Sequence, residues 1–168
     1  MNRISPIFKK LSSFGTLQND ERFHISNDLV NKEDLTDHYA VGAVFISCDK
    51  ILILYHNKYK FWTLPIGKVK YNTTSELALM DEMKEELNVE LVCIDYIGSF
   101  RKLYFRGNNK YVTINSQLYL VQSWYGEIQN KEPDKHQDLK WVSMDELKEY
   151  KPDQISDFLR FFINVWGY

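Results

Sequence analysis

The stretch from Leu64 to Leu87 constrains this chain more than any other part of it. A loop, Leu64-Pro65-Ile66-Gly67-Lys68-Val69-Lys70, precedes Asp81-Glu82-Met83-Lys84-Glu85-Glu86, which crowds four carboxylates into six residues. At about 100° per residue, a helix through this segment puts Glu82, Glu85 and Glu86 on one face. Leu79, Met80, Met83 and Leu87 fall on the adjoining face, where they can pack into a core. Like charges so spaced cost a helix about 0.2–0.5 kcal/mol per pair. They also stand in its last turns, where the macrodipole disfavours negative charge. A hard divalent cation reverses that cost, because magnesium is held by carboxylate and phosphate oxygens. The helix alone leaves the plainer reading open, a solvated acidic face. The preceding loop adds weight to a site: Gly67 permits close backbone approach, and Pro65 fixes the entry to the turn.

Taken together, these residues resemble the signature of the Nudix hydrolase superfamily. That signature is a glycine, five residues, a glutamate, seven residues, then Arg-Glu-aliphatic-x-Glu-Glu-x-Gly-aliphatic. Here it reads Gly67, five residues, Thr73, seven residues, then Asp81-Glu82-Met83-Lys84-Glu85-Glu86-Leu87-Asn88-Val89. Three positions depart from it, Thr73, Asp81 and Asn88. Thr73 with Glu76 forms a capping box that starts the helix. Asn88 is the usual second choice after glycine for a left-handed helix cap. Asp81 stands where the family's arginine is expected to orient neighbouring glutamates, and adds a negative charge instead.

The resemblance implies an α/β fold, the Nudix fold, in which a mixed β-sheet is sandwiched between α-helices. It implies a MutT-like pyrophosphohydrolase that cleaves a diphosphate linkage in a nucleoside triphosphate or another nucleoside diphosphate derivative. The metal ligands it implies are Glu82, Glu85 and Glu86, the backbone carbonyl of Ile66, and a loop glutamate, best matched by Glu132. Mg2+ is the expected cofactor, with Mn2+ as a substitute. Glu85 or Glu86 is the favoured base, with Glu132 as the alternative. Lys68 either contacts a phosphate or faces solvent. Arg101, Tyr104 and Arg106 are candidates for substrate binding, each with a surface or packing role as the competing reading. The histidines His24, His38, His56 and His136 have no partners at metal-ligand spacing and receive no chemistry. The alternative function is a catalytically weak Nudix-fold module that binds nucleotide or protein, a reading that Asp81 favours and the three retained glutamates oppose.

Composition narrows the partners. With 168 residues, 44% hydrophobic and 26% charged, the chain has the make-up of one ordinary globular domain with a real core. A formal net charge of −2 argues against a nucleic-acid polymer as partner and leaves a small nucleotide as the expected one. Cys48 and Cys93 are too few for a disulfide framework or zinc site, so a reducing cytoplasm is expected. No apolar run approaches the ~18 residues of a membrane span. A homodimer stays open.

The expected organisation is an N-terminal extension over residues 1–37, packed on a Nudix domain over 38–168. Tyr39–Ser47 and Ile51–Tyr55 read as a hairpin around Cys48-Asp49-Lys50. A loop from Asn57 to Phe61 then leads to the signature. Val89–Phe105 reads as strand, interrupted near Gly98, and Tyr111–Trp124 as a strand pairing back on it across a Gly107-Asn108-Asn109 turn. Leu139–Val142 is a short strand. Ser143 with Glu146 makes a second capping box. Pro152 stands at the start of a C-terminal helix carrying Ile155, Phe158, Leu159, Phe162, Ile163 and Trp166 as a core stripe.

Overall fold

The computed structural model describes residues 39–70, 73–107 and 110–166, with side chains throughout except at 103–107 and 110–113. The expected extension over 1–37 lies outside the described residues, as do the side chains of Tyr104 and Arg106.

The apolar run Tyr39–Ser47 is β1, the strand around which the rest is arranged. It is joined to β2 (Lys50–His56) by a two-residue turn in which Cys48 and Asp49 have φ of 50° and 60°. That left-handed pair matches the twist of the flanking strands. Lys50 therefore belongs to the strand, paired with Ser47, rather than to the turn. Two strands missed by the sequence pattern follow, β3 (Phe61–Thr63) and β4 (Ile66–Lys68). At three residues each they are too short to show alternation. β3 pairs with β2, and β4 pairs antiparallel with β1 through Val41 and Gly67.

The acidic segment forms α1 (Ser75–Leu87). Its cap corrects the expected one: Thr74, not Thr73, accepts the Leu77 N–H at 3.2 Å. Glu76 accepts instead from the Tyr119 hydroxyl. At the other end Asn88 takes the left-handed conformation expected of it, φ 60° and ψ 35°.

β5 (Glu90–Gly107) and β6 (Lys110–Tyr125) form a long antiparallel pair. Gly98 does not end the strand, as its sequence context suggested. It sits at a register shift with φ +155°, so the ladder bulges and continues. β6 runs parallel to β1 from Asn115 to Val121, which makes the sheet mixed. β7 (His136–Ser143) extends three residues ahead of the expected Leu139 and pairs with β2.

The Ser143–Glu146 capping box is present and opens α2 (Met144–Lys148). Pro152 starts only a short 3₁₀ turn, Pro152–Gln154. The C-terminal helix α3 (Asp157–Trp166) begins later, where Ser156 Oγ accepts the Leu159 N–H.

The sheet is covered on both faces, so β1 is apolar almost throughout rather than alternating. On one face Val41, Ala43 and Phe45 pack with Leu79, Met83 and Leu87 of α1. On the other, Val44 packs with Phe158, Leu159, Phe162 and Trp166 of α3. Ile155 joins that core from ahead of the helix, bridging to Trp62 of β3. No helix among the described residues is long and apolar enough to cross a membrane.

Candidate active site and metal centre

Packing of α1 on the sheet aims its acidic face at the β1–β4 pair. Gly67 is where the two meet: a Cβ there would lie 2.2 Å from Glu82 Cγ, so only a residue without a side chain lets Glu82 cross β4. Ile66, beside it, is paired with Gly42, and its side chain packs towards the α3 core.

The loop between β6 and β7 completes the group, and its backbone is bound to the end of α1. Gln129 N–H donates to Leu87 O at 3.0 Å and Lys131 N–H to Glu86 O at 2.9 Å. These bonds serve two of the carbonyls that the last helical turn leaves without intrahelical donors. Glu132 is thereby delivered beside Glu86. The Lys135 and His136 N–H groups both donate to Glu132 O, and Asn130 Nδ2 to His136 O, which folds the segment into a tight bend. Asn57, after β2, fastens it from the other side by donating to Lys135 O and Asp134 O, each at 2.9 Å.

The result joins Glu86, Glu132 and His136, whose potential ligand atoms lie within 4.8 Å of one another. Glu86 is 1% exposed, although it belongs to a face that reads from the sequence as solvated. Lys135 donates to Glu86 Oε1 and lies 3.6 Å from Glu132 Oε2. Glu86 Oε2, Glu132 Oε2 and both His136 ring nitrogens are buried with no hydrogen-bond partner among the described residues. Orphaned buried polar atoms are costly. Two carboxylates and a neutral imidazole with free lone pairs form a donor set suited to a divalent cation.

Burial pushes Glu86 up to about 7 despite the pull of the Lys135 ammonium. Glu82 is raised too, again chiefly by burial, with Lys135 opposing and Glu85 reinforcing the rise. Partial burial works against the charge on Lys135, but Glu86, Glu82 and Glu132 outweigh it and raise its pKa. His136, buried beside Lys135 and His56, is lowered to about 4 and is neutral at physiological pH.

A cleft of about 760 Å³ opens onto Glu82 and Lys135. Its walls carry Lys58, Lys68 and Lys70, together with Tyr59 and Phe61, which stack with ring centroids 5.5 Å apart. Tyr59 is 51% exposed. The arrangement offers cations for phosphates and an aromatic surface for a base.

The structure thus brings together Glu82, Glu86 and Glu132, with Ile66 and Lys68 in the adjoining cleft wall. Glu85 is exposed, outside the buried cluster, yet near enough to raise the Glu82 pKa. Arg101 is exposed on β5 and is not part of the cleft lining. His136 corrects the expectation that no histidine has partners. Its partners are Glu86 and Glu132, and only Glu132 is near in sequence. Lys135, His56 and Tyr59 were also missed. Their one sequence signal is position: Lys135 three residues after Glu132, His56 at the end of β2, and Tyr59 in the loop leading to the signature.

A family model described as the NUDIX domain matches residues 36–162. No curated protein gives a significant sequence match. Among solved structures, a MutT NUDIX hydrolase from Burkholderia pseudomallei superimposes with a TM-score of 0.63 and 24% identity over 76% of this chain and 95% of that one. The ORF135 protein of E. coli gives 0.60 and 24% over 76% and 89%. The E. coli dihydroneopterin triphosphate pyrophosphohydrolase gives 0.55 and 17% over 75% and 94%. With its signature helix, glycine loop and sheet arranged as described, the chain belongs to the NUDIX domain family, a Nudix hydrolase of MutT-like fold.

Proposed function

We propose that the chain is a Mg2+-dependent pyrophosphohydrolase acting on a nucleoside triphosphate or a related nucleoside diphosphate derivative. The observation that carries this reading is the buried convergence of Glu86, Glu132 and His136, with unpartnered donor atoms, behind Lys135, which lines a cleft that also carries Lys58, Lys68 and Lys70. In this reading Glu82, Glu85, Glu86, Glu132 and the Ile66 carbonyl hold the divalent cation, with the His136 imidazole beside Glu86 and Glu132 as a further donor. When bound, it would offset charge accumulating on the phosphate oxygens. The cleft lysines, Lys68 among them, bind and orient the phosphates, and Tyr59 offers a face for the base. Water attacks one phosphorus, a new P–O bond forms, and the anhydride P–O bond breaks with its electrons leaving on the departing phosphate oxygen. The proton of the water passes to a carboxylate of the group. Glu85 or Glu86 is the favoured acceptor, with Glu132 as the alternative. Residues 1–37 would be an extension to a domain over 38–168, and two exposed free cysteines fit a reducing cytoplasm.

A weak or inactive nucleotide-binding module is the second reading. It is favoured by Asp81, exposed where the signature has arginine, and by the ammonium already seated on Glu86. The deciding experiment measures phosphate and pyrophosphate release from unmodified and oxidised nucleoside triphosphates, ADP-ribose, NADH and dinucleoside polyphosphates with Mg2+ or Mn2+. Glu86→Gln serves as the control. Turnover that the substitution removes is expected. No turnover on any substrate, with nucleotide binding retained, would transfer the conclusion to the module.

A further inference from the structure

The carboxylate group already has a cation, and it is Lys135. Its ammonium bonds Glu86, whose side chain has no exposed surface, and stands 3.6 Å from Glu132 Oε2. It also acts electrostatically on Glu82. One ammonium therefore faces three of the groups assigned above to a divalent cation. The fit is incomplete. A lysine has three donors, yet only one hydrogen bond, to Glu86 Oε1, is made among the described residues. The second oxygens of Glu86 and Glu132 stay without hydrogen-bond partners. A compact ammonium satisfies this group only in part.

The attachment of Lys135 differs from that of its neighbours. Its backbone is fixed, with its N–H on Glu132 O and its carbonyl held by Asn57. Its side chain is 39% exposed and forms part of the cleft wall. The head of a lysine moves on a flexible four-carbon stem. The anchored backbone stays in place while the head is free to swing on that stem. An ammonium on Glu86 Oε1 and a divalent cation on Oε2 of the same buried carboxylate repel each other strongly.

We propose that Lys135 is an exchangeable counter-ion: it neutralises the carboxylate group in the metal-free protein, must leave Glu86 for a divalent cation to be held there, and then turns into the cleft to pair with a substrate phosphate. This rests on the metal-dependent reading of the site. A purely structural lysine would only position Glu86, and its loss would weaken metal binding. Those two roles give opposite signs.

The test is a calorimetric titration of the full chain with Mg2+ alone, for the wild type, Lys135→Met, Lys135→Gln and Lys135→Arg. The titration is run at about pH 9, well above the ordinary range of carboxyl groups. Both neutral variants should bind Mg2+ at least about tenfold tighter than the wild type. Lys135→Arg should stay near the wild type. In steady-state hydrolysis the neutral variants should raise KM for the nucleotide more than they lower kcat. Mg2+ binding that is unchanged, weaker, or absent from every variant overturns the proposal. Absence of hydrolysis by the wild type would instead overturn the functional reading, and the Mg2+ comparison would still stand.

Discussion

Glu86→Gln should stabilise the metal-free protein above neutral pH, although it removes the better partner of Lys135. Burial moves the Glu86 carboxyl from the usual 4.5 to about 7, a difference of about 2.5 units. At about 1.4 kcal/mol per unit, the ionised carboxylate costs the fold about 3 kcal/mol relative to its protonated form. The side chain is fully buried, so solvent screening does not dilute that figure. The sign follows from proton uptake. The native state binds this proton more tightly than the unfolded chain, so stability falls as pH rises from 4.5 through about 7. Glutamine mimics the protonated acid at every pH. The two proteins should therefore match near pH 4.5 and diverge upwards, with the variant melting higher by roughly 5–10 °C at pH 8 and above. Thermal melts in chelator between pH 4.5 and 8.5 read this directly. A variant less stable than the wild type at pH 8 would show that the Lys135 ion pair outweighs the burial of Glu86, and would refute the reasoning.

Gly67→Ala places a methyl group 2.2 Å from Glu82 Cγ, so it should cut turnover by about a hundredfold or more while far-ultraviolet circular dichroism stays native. Asn88→Ala should cost about 1 kcal/mol in urea denaturation, because the residue sits at φ 60°, whereas Asn88→Gly should be neutral or stabilising. Tyr59→Ala should raise KM for a nucleotide by several-fold with little change in kcat, and an unchanged KM would remove the stacking role. Asp81→Arg should keep or raise kcat/KM, since the side chain is exposed, and a large loss would mean the aspartate has work of its own.

The parts legible in the sequence are those set by local spacing. The period of Leu79, Met83 and Leu87 placed the buried face of α1, and Asn88 marked its end. Paired apolar runs placed the β1–β2 hairpin and the β5–β6 pair. What escaped depends on contacts that spacing does not encode. Thr73 and Thr74 are both competent caps by residue type, and the folded chain uses the second. β3 and β4 are strands because β1 and β2 offer them edges. Glu86 is buried because the 126–135 loop folds over it, so its raised pKa and its pairing with Lys135 arise from residues nearly fifty positions away. His136 has no metal-ligand set at sequence spacing, because Glu86 reaches it only through tertiary folding.

The bonds from Gln129 and Lys131 to the end of α1 carry a consequence for how this protein can vary. Both are made by main-chain N–H groups, so the side chains at 129 and 131 are open to nearly any substitution except proline, which has no N–H to give. Length is another matter. Between Gly126, where a Cβ would press on Asn88 O at 2.9 Å, and His136, where β7 begins, the count of residues fixes where Glu132 arrives. Removing a single residue there would shift the glutamate relative to the helix while leaving sheet and core untouched. Drift should therefore run freely through substitution at 129 and 131 and stall at deletion anywhere in the loop.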